Sequence, residues 1–148
     1  MKLKIIKDVL GNSYISLTDF NDLLFDALLD FAKINIDDFD SMNQNLLNRN
    51  GGNFHLTAFN VAECNSNNNI FNLFDIDIND LRMLGIGSIS KDSNKTFFIV
   101  CQSDTINKIR LALGLPFKDL HITIGFNNKD LFHARKNDCN IISIDKLF

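Results

Sequence analysis

Leu120-His121-Ile122-Thr123-Ile124-Gly125-Phe126 is an apolar run interrupted by an imidazole and a hydroxyl, and Phe54-His55-Leu56-Thr57-Ala58-Phe59 carries the same interruption earlier in the chain. In an extended strand, residues two apart point to the same face. Each run therefore sets a histidine beside a threonine and turns Leu56 or Ile122 toward a core. The chain has only five threonines in 148 residues. A given histidine then has threonine two places on in roughly 3 % of arrangements, and two of three histidines do so in roughly 0.3 %. Both runs end in asparagine, at Asn60 and at Asn127-Asn128, and the second has one extra residue, Gly125, before its phenylalanine. Two imidazoles, each with a hydroxyl alongside, are suited to acid–base chemistry on a phosphate ester.

The rest of the chain arranges itself around these two runs. Lys2 to Leu17 reads as a β-hairpin turning at Gly11-Asn12. Thr18 or Asp19 is expected to cap a helix in which Phe20, Leu23, Leu24, Ala27, Leu28, Phe31 and Ala32 hold helical spacing. A second helix is expected over Ile36 to Leu47, ending before Asn50-Gly51-Gly52. The first histidine strand then spans Asn53 to Asn60. Cys64 to Asn69 reads as a polar loop, and Ile70 to Leu81 as a short strand and turn. Met83 to Ser90 and Thr96 to Gln102 form a second hairpin. Ser103 or Asp104 caps a helix to Leu113, stopped by Gly114 and Pro116. Leu120 to Phe126 is the second histidine strand, and Cys139 to Ile144 a closing one. Each half thus runs hairpin, helix, histidine strand. That order implies an α+β, bilobal, pseudo-duplicated fold: antiparallel sheets with outer helices and a groove between two lobes.

Composition narrows the function classes. A length of 148 residues with 45 % hydrophobic residues and 14 Phe suits one domain of two lobes, 1–148. A net charge of −3 and a pI of 5.5 give no basic footprint for duplex DNA. The three cysteines, Cys64, Cys101 and Cys139, are odd in number and widely spaced, which suits a reducing cytoplasm. The start of the chain alternates charged and apolar residues, unlike a signal peptide, and no apolar run reaches membrane-spanning length.

At His55, Thr57, His121 and Thr123 the sequence resembles the 2H phosphoesterase superfamily, whose signature is two H-x-T/S motifs in a bilobal α+β fold. The stretch His121 to Phe126, followed by Asp130-Leu131-Phe132-His133 and Lys136, looks most like the branch associated with RNA repair. Short 2H proteins of phages that degrade cyclic oligonucleotide signals are similar in size. The resemblance implies a phosphodiesterase with no metal and no other cofactor, acting on 2′,3′-cyclic phosphate RNA ends or on cyclic di- or oligonucleotides. One neutral histidine would take a proton and one protonated histidine would give one, with a bell-shaped pH profile expected between about pH 6 and 8. Thr57 and Thr123 would hold the non-bridging oxygens. A nucleotide- or RNA-binding module of the same fold without catalysis is the alternative.

Other residues carry two readings each. His133 either closes over the cleft to touch a base or phosphate, or is a surface histidine. Arg135 and Lys136, with Lys129, form the densest basic patch, either a phosphate clamp or solvated charge. Tyr14, the only tyrosine, either stacks on a base or half-fills the first hairpin. Glu63, Asp75, Asp77 and Asp80 lack the pattern of a calcium loop. A zinc site built from His55, His121 and His133 is the rival chemistry, and it leaves both threonines unexplained.

Overall fold

The computed structural model describes residues 1–142. Six strands, β1 (Lys4–Lys7), β2 (Ser13–Leu17), β3 (Leu56–Phe59), β4 (Arg82–Lys91), β5 (Asn94–Gln102) and β6 (Leu120–Phe126), form one antiparallel sheet in the order β1-β2-β3-β6-β5-β4. That order is symmetric about its middle. Each half contributes a hairpin at one edge and a histidine strand at the centre, so the duplication read from the sequence becomes two three-stranded halves joined along β3 and β6.

Four helices complete the α+β fold: α1 (Leu23–Asn35), α2 (Phe39–Arg49), α3 (Val61–Ser66) and α4 (Asp104–Ala112). Phe25, Met42, Cys64 and Ile106 from these helices share one buried cluster with Leu17, Leu56, Ile99, Ile122 and Ile124 from the sheet. Each leucine or isoleucine fully removed from water there contributes about 1.5–3 kcal/mol. A smaller cluster of Ile89, Phe98, Val100 and Leu131 stands apart from it. Strand alternation places Phe98 and Val100 on the opposite face from Ile99.

Local chemistry explains where the elements begin. Helix α1 starts later than Thr18 or Asp19 because both are engaged elsewhere. Asp19 sits in the left-handed region (φ 59°) and accepts from Lys4 Nζ at 2.8 Å and from the Thr18 hydroxyl. Asp22 caps the helix instead, its carboxylate accepting from the Phe25 amide. Ile36 closes α1 rather than opening α2, its amide donating to Ala32 O. The expected polar loop at Cys64 to Asn69 is mostly helical. Asn60 and Glu63 form a reciprocal capping box that nucleates α3, and a 3-10 helix follows over Asn68–Leu73. Ser103 caps α4 as expected, supported by Asp80, which accepts from the Ser103 hydroxyl and from the Thr105 amide and hydroxyl. The second hairpin turns in two residues, Asp92 and Ser93, instead of five.

Gly125, the extra residue of the second run, has a steric reason. A Cβ there would sit 3.1 Å from backbone atoms of Met42 and Asn43, so α2 lies directly on β6 at this point. Asn43 and Asn45 of α2 fix the contact by donating to Ile124 O, Phe126 O and Asn127 O. Of the closing strand expected over Cys139 to Ile144, residues Asp138–Asn140 form a 3-10 turn. Ile141 makes one bridge to Gly87, and the Ile142 amide donates to Ile86 O at 2.8 Å. Residues 143 and 144 lie outside the described residues.

Candidate active site

The two histidine segments meet at the seam of the sheet. Leu56 on β3 pairs antiparallel with Ile122 on β6, and both are fully buried on the helix side. Counting outward from that pair, His55 runs alongside Thr123 and Thr57 alongside His121 on the other face. Each imidazole thus neighbours the other segment's hydroxyl as well as its own. His55 immediately precedes β3 rather than lying within it. All four residues line one cavity of about 630 Å³, with Tyr14, Arg49, Asp130 and Phe132 among its walls. The hairpin residues Ile6 to Val9 and the Asn50-Gly51 turn also line it. The Tyr14 ring packs on the His55 ring with centroids 5.4 Å apart. Ser16, which pairs with Thr57 from β2, is fully buried, and its hydroxyl has no hydrogen-bond partner among the described residues.

Electrostatics around the rings are unusual. His121 Nδ1 lies 3.0 Å from the Asp119 carbonyl oxygen, which can only accept. The proton is therefore on Nδ1, and Nε2 presents a lone pair. Burial lowers the His55 pKa from 6.5 to about 4, with the Arg49 guanidinium adding to the effect. Burial and the Lys136 ammonium lower that of His121 to about 4. Both cations are held by one carboxylate. Asp130 Oδ2 accepts from Arg49 Nη1 at 2.8 Å, and Oδ1 from Lys136 Nζ at 2.9 Å. At neutral pH both imidazoles are therefore uncharged, with the paired Arg49 and Lys136 cations near them.

A histidine whose folded pKa lies below its unfolded value favours folding fully above pH 6.5 and loses that contribution as pH falls through 4. Each ring is expected to contribute up to about 3 kcal/mol across this window. Urea midpoints should fall between pH 6.5 and 4, and His55→Gln/His121→Gln should fall less. Parallel curves for the two proteins would show that the rings are not held neutral.

A family model described as Swiss Army Knife, 2H phosphoesterase domain, matches residues 16–132. The chain belongs to the 2H phosphoesterase family. The matched span runs from β2 through both histidine segments to Phe132. Searches of curated proteins and of solved structures returned no match.

In this 2H phosphoesterase domain the remaining candidates are dispersed. Tyr14 lies at the cavity, but His133 stands on the exposed loop after β6 and is not among the cavity walls. Arg135 binds the Asp119 carboxylate through Nε and Nη2 at 2.6 and 2.8 Å, and lines a separate cavity beside α4. Lys136 has a side chain only 3 % exposed. Its ammonium serves Asp130 and lies against the rings of Phe98 and Phe132. It touches the site through its charge, while the clamp expected of Arg135 and Lys136 is not assembled at the histidines. His133 is likewise not joined to His55 and His121. No group of three His, Cys, Asp or Glu converges as a metal site among the described residues. Glu63 pairs with Arg110, and Asp75 with Lys2. No helix of the described residues is long and apolar enough to cross a membrane.

Arg49 is the site residue that sequence reading misses. It ends α2, 81 positions from its partner Asp130, and no local pattern links the two.

Proposed function

We propose that this 2H domain is a metal-independent phosphodiesterase that hydrolyses nucleotide phosphoesters, either 2′,3′-cyclic phosphates at RNA ends or cyclic di- or oligonucleotides. The observation that supports it is the β3/β6 register, which gathers His55, Thr57, His121 and Thr123 in one cavity. A phosphodiester seated between the rings presents its non-bridging oxygens to the threonine hydroxyls, where negative charge grows in the transition state. One neutral imidazole removes a proton from water or a ribose hydroxyl, and the other, protonated, supplies one to the leaving oxygen. The protonated ring needs a source, since both are neutral in the free protein near pH 7. The anionic phosphate provides it by raising the pKa of the imidazole it contacts.

A panel of 2′,3′-cyclic mononucleotides, RNA ending in a cyclic phosphate, and cyclic dinucleotides, assayed with EDTA present, tests the reading. Turnover of at least one class is expected, with no loss in EDTA. Turnover abolished by EDTA points to metal chemistry, and ligand binding without any turnover points to a binding module.

A further inference from the structure

We propose that Arg49 and Phe132 build a second nucleotide subsite beside the histidine cavity, which takes the phosphate and base of the nucleotide joined to the reacting phosphodiester. The proposal rests on the phosphodiesterase reading above and narrows its substrate to molecules of at least two linked nucleotides.

The histidine cavity does not end at Phe132. A second cavity, also about 630 Å³, adjoins it and shares Arg49, Asp130 and Phe132 as walls. Each is the size of a small-ligand site, about 300–1,000 Å³. A single nucleotide over the histidines leaves the second cavity unused. Beyond the shared wall that cavity is lined by polar groups, including Asn48, Asn128 and Lys129.

The shared wall has the chemistry for a nucleotide. The Arg49 guanidinium is fixed on three sides. Its Nε donates to Asn50 Oδ1 at 3.0 Å, its Nη1 to Asp130, and its carbon lies 5.1 Å from the Phe126 ring centroid. Among the described residues Nη2 has no acceptor, and the side chain is 37 % exposed. A planar cation held this firmly, with donors left over, is suited to a phosphate oxygen. Phe132 is 76 % exposed, and its ring rests on the Lys136 ammonium at 4.6 Å. Its position at the rim, anchored by a buried cation, gives a base a platform to stack on. Linear RNA ends and cyclic oligonucleotides share this chemistry.

The test compares calorimetric binding of a nucleoside 3′-monophosphate with that of a dinucleotide ending in a 3′-monophosphate. The native chain is expected to bind the dinucleotide about tenfold or more tightly, the scale of one stacked base. Phe132→Ala should remove most of that advantage. Arg49→Gln should do the same, and Arg49→Lys should restore part of it. Equal or undetectable binding of the two ligands by the native chain overturns the proposal, as does equal weakening of both in the variants. Phe132 is exposed, so its variant carries the test if Arg49→Gln fails to fold. Turnover of a cyclic-phosphate-ended dinucleotide against a cyclic dinucleotide then separates the two sources. Length-dependent binding with no turnover of either sinks the enzymatic reading and keeps the subsite; turnover with no length dependence does the reverse.

Discussion

Alanine at His55 or at His121 is expected to lower turnover of a phosphodiester by about 10²-fold or more, the scale of losing one acid–base group. The double variant should be little worse than either single one, because the ring that takes a proton and the ring that gives one act as a unit. The fall should appear in kcat, since the proton transfers that the imidazoles carry out belong to the chemical step. Loss of function through unfolding is separable from this. Removing a ring that the fold holds neutral down to about pH 4 should make the protein more tolerant of acid. The pH dependence goes with the same argument. Unperturbed imidazoles would centre the bell between about pH 6 and 8, but both rings are lowered to about 4 in the free protein. The active free form carries one proton on the pair, so kcat/KM should fall about tenfold per unit above about pH 5. In the complex the phosphate raises the relevant pKa, so kcat should hold to higher pH. Variants that each retain a tenth of native turnover, or coincident profiles for kcat and kcat/KM, would refute the two-histidine scheme.

The sequence revealed the site's centre because strand geometry is local. A period of two places Thr57 with His55 and Thr123 with His121, and Leu56 and Ile122 then turn to the core without reference to anything distant. The hairpin-helix-strand order repeated in each half likewise anticipated the symmetric sheet. Most of what the sequence does not display depends on long-range partners. The cap of α1 moved to Asp22 because Lys4, on the neighbouring hairpin, takes Asp19. The capping box of α3 is local, Asn60 with Glu63, yet the Asn-rich stretch Cys64 to Asn69 that overlaps the helix end has the composition of a loop. Arg135 and Lys136 are adjacent in sequence but serve Asp119 and Asp130 separately, so a basic cluster in the chain is not one in space. The lowered histidine pKa values come from burial and from cations brought near by α2 and by the loop after β6, which no window of sequence contains.

Asp130→Asn is expected to destabilise the protein by about 3–5 kcal/mol at neutral pH, the range for breaking a buried ion pair by removing one partner. The Asp130 side chain is 5 % exposed and holds two cations. Arg49 keeps Asn50 and partial contact with solvent, whereas Lys136, 3 % exposed, keeps only the rings of Phe98 and Phe132 among the described residues. The orphaned ammonium is therefore the main penalty, and its pKa, already lowered by burial despite Asp130, should drop further. A lysine with a depressed folded pKa destabilises the folded state less as pH rises toward its unfolded value. The deficit of Asp130→Asn should accordingly shrink between neutral pH and about pH 10. Asp130→Asn/Lys136→Met should recover much of the loss at pH 7, because it removes the unpaired charge and keeps the volume against Phe98 and Phe132. Urea denaturation of the native chain, the single variant and the double variant at pH 7 and 9.5 measures all three terms. An Asp130→Asn midpoint equal to the native one, or a deficit that does not change with pH, would mean that Asp130 does not anchor the cations flanking the two histidines.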